Sequence, residues 1–170
     1  MTGTSAAAPS RRQFLLGQKV AQSQVVPRPP YSSTDSITAH CTACGDCLSA
    51  CPEAILVADQ NDKPFVDFSD GECTFCNKCS DICTEPVFDQ SSAPFSHLVE
   101  IGTNCLMHQS VECRVCAENC DAGAMTFDYQ IGRSGGVHLN PQDCTGCGAC
   151  IAPCPADAIS IAFPKSEVAA

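Results

Sequence analysis

The stretch CTGCGACIAPCP, residues 144–155, decides how this chain is interpreted. It follows the pattern C-x2-C-x2-C-x3-C-P, and CTACGDCLSACP repeats that pattern in full at residues 41–52. A third set keeps the cysteine spacing but has Thr84 in place of the proline, and a fourth has seven residues between its first two cysteines. All 16 cysteines fall into these sets, which we call group one (Cys41, Cys44, Cys47, Cys51), group two (Cys73, Cys76, Cys79, Cys83), group three (Cys105, Cys113, Cys116, Cys120) and group four (Cys144, Cys147, Cys150, Cys154).

This cysteine spacing is one by which bacterial ferredoxins hold iron-sulfur clusters. Three thiolates two residues apart let a tight loop wrap one corner of a cubane, and Gly45, Gly146 and Gly148 permit the left-handed or crowded backbone that such a loop needs. We expect a helix to begin inside each run and to carry its fourth cysteine. The sequence therefore predicts that all sixteen cysteines are iron ligands and that the chain binds four 4Fe-4S clusters, with the Cys105 group the least regular.

Two other uses of cysteine fit less well. A disulfide scaffold would be expected of a small secreted protein, but disulfide families do not use this rhythm. Zinc sites favour C-x2-C pairs separated by longer gaps. Cysteine as a core filler would not recur in four sets of four, three of them at one spacing.

The apolar content of the chain is low. Leu, Ile, Val and Phe together contribute 34 of 170 residues, which is near the level at which an ordinary chain fails to bury a core. The clusters must then supply part of the interior. We therefore predict that the protein without its clusters is largely unfolded.

Charge is unevenly distributed along the chain. Residues 1–30 carry four basic and no acidic side chains, whereas the rest carries 5 basic and 19 acidic ones. Each oxidised 4Fe-4S site with its four thiolates would add a charge of about −2. Such an anionic body argues against nucleic acid as a partner and favours a basic face on a protein, although acidity that only maintains solubility is an equally simple explanation.

The first thirty residues are predicted to be a basic, flexible arm. The segment SRRQFLL at residues 10–16 resembles the twin-arginine export signature. Its apolar run ends at Gly17, which is shorter than the roughly 7 to 15 residues that an export signal needs, so export is not expected. The arm either docks a partner through Arg11, Arg12, Phe14 and Leu15 or is a disordered tail. The sequence has no run of about 18 apolar residues, and no membrane span is predicted.

Short β-type runs lie between the cysteine groups. Residues 54–57 and 65–68 predict one hairpin, and residues 124–127 and 137–139 predict a second. A short strand is also expected at Ile37.

The two hairpins predict an α+β fold, similar to bacterial 4Fe-4S ferredoxins, with short β-hairpins and short helices. Two tandem two-cluster modules are expected, at residues 31–90 with groups one and two and at residues 91–170 with groups three and four. An alternative nests groups two and three inside groups one and four. Tandem pairing is favoured because it closes shorter loops.

In two-cluster ferredoxins the fourth cysteine of each group ligates the cluster of the other group. Tandem pairing then predicts four crossed ligand sets. They are Cys41, Cys44 and Cys47 with Cys83; Cys73, Cys76 and Cys79 with Cys51; Cys105, Cys113 and Cys116 with Cys154; and Cys144, Cys147 and Cys150 with Cys120.

Group three is the irregular one. The seven residues inserted after Cys105 lengthen its loop, which predicts a looser ligand and a labile iron, or else a harmless insertion beside an ordinary cluster. His108 could ligate iron but is more simply a surface histidine. His40, His97 and His138 carry no functional expectation.

The order of features supports a family resemblance. Arg28-Pro29-Pro30-Tyr31 precedes group one, and CLMHQSVECRVC at residues 105–116 is the most specific segment. Together with the twin arginine, these resemble the NapF family, the ferredoxin-type accessory proteins of periplasmic nitrate reductase systems. The resemblance covers nearly the whole chain from Ser10. The sequence departs from the pattern at Thr84, where a proline would follow the fourth cysteine. The ligand Cys83 is kept, but the helix start there is less rigid.

The resemblance implies a cytoplasmic iron-sulfur protein that binds the catalytic subunit of the nitrate reductase before export. It would assist maturation of that subunit by cluster assembly or by electron supply. Members keep the twin arginine without being exported. The alternative is a polyferredoxin that carries electrons between a reductase and a terminal enzyme. We do not expect an enzyme, because the sequence has no Ser-His-Asp order, no phosphate loop and no prominent carboxylate pair.

Overall fold

The computed structural model describes residues 26–132 and 134–163. Short helices and strands alternate there with the longer loops that carry the cysteines. The elements in chain order are α1 (Thr34–His40), α2 (Asp46–Ala50), β1 (Leu56–Ala58), β2 (Pro64–Val66), α3 (Lys78–Asp81), β3 (Leu98–Ile101), a 3-10 helix (Leu106–Gln109), α4 (Val115–Glu118), β4 (Met125–Asp128), β5 (Gly136–Leu139) and β6 (Ile159–Ala162).

The strands of the described ranges form three antiparallel pairs. The pairs β1 with β2 and β4 with β5 are the two predicted hairpins, which are confirmed. The third pair joins β3 to β6, with Val99 opposite Ile161. This pairing places β6, near the end of the second half of the chain, beside β3, near the start of that half. Groups three and four lie between these two strands in the sequence.

Two small apolar cores lie beside the cysteine groups. The first contains Ile55, Leu56, Val66, Phe68 and the group-two residue Cys79, and the second contains Val99, Met125, Ile159 and the group-four residue Cys150. Ile151 packs against both cores. The core of each half therefore includes cysteine, and the two halves pack against each other through a shared side chain.

The strand expected at Ile37 is wrong, because Ile37 lies in helix α1. Ser33 begins this helix with a capping box, in which its hydroxyl accepts from the Ser36 N–H at 3.0 Å and its own N–H donates to the Ser36 hydroxyl at 3.0 Å. Such a cap satisfies otherwise unpaired N–H groups of the first turn. Ile37 is the buried side chain of α1, with 1% exposure. The cap, rather than one apolar residue in a polar run, decides the local structure.

The helices in groups one, two and three carry the third cysteine, and residues 144–154 of group four form turns without a helix, so the expectation of a helix in each run that carries the fourth cysteine is also wrong. Cys47 lies in α2, whereas Cys51 is the residue that ends it. Cys79 in α3 and Cys116 in α4 hold the same position. Because these helices have only four or five residues, each one ends before the fourth cysteine.

The predicted flexible arm is too long at its C-terminal end, because residues 26–30 are packed. The Val66 N–H donates to the Pro27 carbonyl at 2.8 Å, and the Arg28 guanidinium lies 3.3 Å from the Asp59 carboxylate and 3.0 Å from the Pro64 carbonyl. Pro29 is fully buried. An extended proline-rich segment leaves its carbonyls free to accept hydrogen bonds, here from β2.

The remaining arm lies outside the described residues. This includes the predicted docking residues Arg11, Arg12, Phe14 and Leu15. None of the helices in residues 26–132 and 134–163 is long and apolar enough to cross a membrane.

Candidate iron-sulfur cluster sites

The loops of groups one, two and four share one backbone shape. In each loop, the residue before the second cysteine and the residue after it have a positive φ. The residues are Ala43 (+62°) and Gly45 (+80°), Phe75 (+53°) and Asn77 (+62°), and Gly146 (+74°) and Gly148 (+84°). This alternation curls each loop around its thiols.

Only three of these six left-handed positions are glycines, so the sequence alone predicted only half of them. Ala43, Phe75 and Asn77 adopt the same backbone without that signal. A non-glycine residue in this conformation costs roughly 1–2 kcal/mol, and it persists only where the surroundings impose it. The spacing of the cysteines, more than the identity of the residues between them, sets the shape of these loops.

Three cavities in the described ranges are each lined by four cysteines. Each cavity combines the first three cysteines of one group with the fourth cysteine of its neighbour. Site one has Cys41, Cys44, Cys47 and Cys83; site two has Cys73, Cys76, Cys79 and Cys51; site four has Cys144, Cys147, Cys150 and Cys120. The sulfurs are thus brought together in the crossed sets that tandem pairing predicts, and their role as iron ligands stays a prediction.

Site three, the predicted set of Cys105, Cys113 and Cys116 with Cys154, has a different loop. The insertion after Cys105 forms the 3-10 helix. Arg114 follows Cys113 with φ −136° instead of a positive angle, and the Cys113 N–H donates to the Met107 sulfur at 3.1 Å. Cys105 also lines a separate cavity with Met107, His108 and the β4–β5 turn. Cys105 is therefore held by a segment that the regular groups lack.

Backbone N–H groups point at the sulfurs of the fourth cysteines in the second half. The Met125 N–H donates to Cys120 Sγ at 3.4 Å, and the Ala158 N–H donates to Cys154 Sγ at 3.3 Å. In group one the Ala43 N–H donates to Cys41 Sγ at 3.4 Å. Such donors orient a ligand and stabilise the negative charge that a thiolate brings to a cluster.

Burial in the folded chain disfavours the thiolate form of several of these cysteines. Burial, together with a smaller contribution from neighbouring cysteine sulfurs, raises the pKa of Cys47, Cys73 and Cys116 to about 11 and that of Cys79 and Cys150 to about 12. A thiolate is needed for metal ligation. Iron must therefore displace protons from these sites.

The donor sets fit a 4Fe-4S cluster. A cubane is ligated at separate irons, so its four sulfurs need to surround a space and need not converge on one point. Sites one, two and four have this arrangement. Within the part of the chain that the structure describes, no three His, Cys, Asp or Glu side chains converge as they would around a single metal ion.

Two segments match a known family of domains. Residues 40–88 and residues 111–158 each match a 4Fe-4S dicluster domain. Two such domains in tandem imply four 4Fe-4S clusters, as the cysteine groups predict, and the short helices and antiparallel strands confirm the α+β ferredoxin-like fold. The second match begins after Cys105, so this cysteine lies outside the part of the chain that resembles an ordinary dicluster domain.

Relatives that match about nine-tenths of this chain are also ferredoxin-type proteins. The chain is 43% identical to the ferredoxin-type protein NapF of Haemophilus influenzae over 162 residues, which covers 89% of this chain and 92% of the relative. It is 38% identical to NapF of Escherichia coli K12, with 91% and 94% covered. The ferredoxin-type protein NapG of Haemophilus influenzae is 27% identical, with 89% of this chain and 63% of NapG covered. The resemblance inferred from the sequence is thereby confirmed, and the chain belongs to the NapF family of ferredoxin-type iron-sulfur proteins.

Proposed function

We propose that this chain is an accessory protein of a periplasmic nitrate reductase system. It binds the catalytic subunit of the reductase in the cytoplasm, before export, and assists the maturation of that subunit. The observation that carries this proposal is the identity to NapF proteins over about nine-tenths of both chains. No enzymatic activity of its own is proposed, and nucleic acid is not a proposed partner.

The sixteen cysteines are the proposed ligands, in two modules at residues 31–90 and 91–170. When bound, 4Fe-4S clusters supply one-electron redox chemistry, or iron and sulfide for transfer. The chain contributes the loops that present the thiols, the N–H groups that stabilise their charge, and the burial of Cys79 and Cys150.

Cluster assembly on the client is supported by group three. Cys105 immediately precedes the added segment and lines a cavity with Met107 and His108. A ligand held by a separate loop can leave its iron without disturbing the other three cysteines. Site three is thus the proposed source of a labile iron.

Electron supply is the second candidate function, in which the protein works as a polyferredoxin. It is favoured by a direct contact between the two halves, where the Cys73 N–H of group two donates to the Cys147 carbonyl of group four. A carrier needs its clusters close together. A protein that only delivers iron does not.

The basic arm is the proposed docking element. Residues 1–30 hold all of their charge as four basic side chains, whereas the rest of the chain is strongly acidic. Arg11, Arg12, Phe14 and Leu15 combine charge with apolar contact in one short run. Such a run suits a partner surface that the anionic body would otherwise repel.

The test is an anaerobic pull-down with the tagged chain and two forms of the catalytic subunit, the unexported precursor and the mature exported protein. The precursor is expected to bind more strongly than the mature form. Arg11→Ala with Arg12→Ala should weaken this binding at least tenfold, whereas Lys19→Ala, which removes one basic charge from the same arm, should not. A chain that binds neither form but is reoxidised at turnover rates by a terminal enzyme would refute the maturation role and favour the electron carrier.

A further inference from the structure

The loops of group two and group four meet at the cysteines themselves. The backbone N–H of Cys73 donates to the carbonyl of Cys147 at 2.8 Å. Cys73 lines site two and Cys147 lines site four. The two halves of the molecule therefore touch where each of them would hold a cluster.

A buried aromatic group fixes this contact. His97 is 2% exposed, and its Nε2 lies 2.9 Å from the carbonyl oxygen of Gly146, next to Cys147. Because a carbonyl only accepts, Nε2 carries the proton. The ring centroid of His97 lies 4.6 Å from that of Phe95 and 5.8 Å from that of Phe68, which belongs to the first core.

Glycines allow the close approach. A β-carbon at Gly148 would overlap the ring of Phe68, and one at Gly146 would lie 2.9 Å from the His97 carbonyl oxygen. On the other side, the ring of Phe75 in the group-two loop lies 6.0 Å from that of Phe95. The aromatic group thus contacts both cysteine loops and sets their separation.

We propose that sites two and four form the electron-transfer junction between the two modules, with His97 as the residue that positions it. One electron passes from a reduced cluster at one site to an oxidised cluster at the other. No bond forms or breaks, and no proton moves. The electron comes from a low-potential one-electron donor, such as a reduced flavin or ferredoxin, and leaves to an oxidised acceptor.

The junction orders all four sites. Sites one and two exchange their fourth cysteines, Cys51 and Cys83, and Cys120 of group three lines site four. The order is then one, two, four, three, with sites one and three at the ends. This goes beyond the proposed function, because it requires only that the four sites are loaded.

The order can be tested by removing clusters in pairs. Cys44→Ala with Cys113→Ala disables sites one and three and leaves the two sites of the junction. The reduced protein should then give an EPR spectrum split by spin coupling between two clusters. The matched variant, Cys76→Ala with Cys147→Ala, leaves the two end sites and should give two uncoupled signals. Uncoupled spectra in both variants would overturn the proposal.

If either double variant fails to fold, a measurement on the wild-type protein still tests the proposed order of the sites. Crystals of the loaded wild-type protein, measured at the iron absorption edge, locate every cluster by anomalous scattering. The pair that is closest across the module boundary should be sites two and four. Any other pair contradicts the junction.

The role of His97 is tested separately, by the midpoint potentials of the clusters. His97→Phe keeps an aromatic ring but removes the hydrogen bond to Gly146, so the midpoint potential of site four should shift in an EPR-monitored titration while that of site one stays constant. His97→Gln keeps a donor and should shift it less. His138→Phe, on the exposed face of β5, is the control. Unchanged potentials with lowered thermal stability would show that His97 only packs the fold.

Discussion

Gly148 lies so close to Phe68 that any side chain at position 148 would overlap the phenyl ring. Gly148 belongs to the loop of group four and Phe68 to the core of the first half. The absence of a side chain at one residue thus allows the two halves to pack.

Replacing this glycine should be far more damaging than replacing its counterpart in group one. Gly148→Ala adds an overlap with Phe68 to the cost of a left-handed alanine, whereas Gly45→Ala, at φ +80° with nothing within 4 Å, has only the backbone cost of roughly 1–2 kcal/mol. The temperature at which the cluster absorbance is lost measures how much each substitution destabilises the protein. Equal effects of the two substitutions would mean that the Phe68 contact relaxes without cost.

Removal of iron should unfold the chain. The two apolar cores contain few large side chains and include Cys79 and Cys150 among their buried members, so the interior is incomplete without the clusters. Anaerobic chelation should abolish near-UV circular dichroism and expose apolar surface to a fluorescent dye. A metal-free protein that still unfolds cooperatively would contradict this, and readdition of iron and sulfide is the control for reversibility.

Cluster loading should become more favourable as the pH rises from 7 to 9. The pKa of Cys79 and Cys150 is 9.0 before burial and about 12 in the folded chain, so protons compete with iron at neutral pH whether or not the chain has folded. Below that pKa the thiolate fraction grows about tenfold per pH unit. Iron bound per chain at fixed iron and sulfide concentrations measures the effect, and a flat profile would contradict it.

The raised cysteine pKa values have the opposite effect on the stability of the folded chain without iron, which falls as the pH rises. Because the folded-state pKa values exceed the ordinary value, protonated thiols favour the folded chain below about pH 9. This contribution is lost as the pH rises through 11 to 12. Alkaline conditions therefore favour loading but destabilise any folded chain that remains unloaded.

Substitution of Cys105 should remove less iron than substitution of its counterpart Cys41. Cys105 is held by the added segment at residues 106–112, and the Cys113 N–H is already bonded to Met107. Cys105→Ala should therefore reduce a total of about 16 irons per chain by about one and yield a 3Fe-4S signal in EPR. Cys41→Ala, within a compact loop, should lose the whole cluster, about four irons. Equal losses would contradict a separately held ligand.

Features that follow from a repeated sequence pattern could be predicted, whereas the strand expected at Ile37 was wrong and the pairing of β3 with β6 was not predicted. Cysteine spacing predicted the sets that line three cavities, and turn residues between apolar runs predicted the two hairpins. The pairing of β3 with β6 joins Glu100 to Ser160 across 60 positions. No local pattern specifies it.

His97 shows the same limit at the proposed junction. In the sequence it is one histidine among four, with no motif around it. Its position between Phe68, Phe95 and Gly146 depends on how the two halves pack. Only the folded chain brings these residues together.

The β3–β6 pairing also has a consequence for synthesis on the ribosome. Groups one and two and their hairpin precede β3, so the first half has all the cysteines of sites one and two while the second half is still being translated. Strand β3 must wait for β6, and group three must wait for Cys154, which is translated just before that strand. The set of cysteines in the first half is therefore complete before that of the second, and the half that carries the irregular group three is completed last.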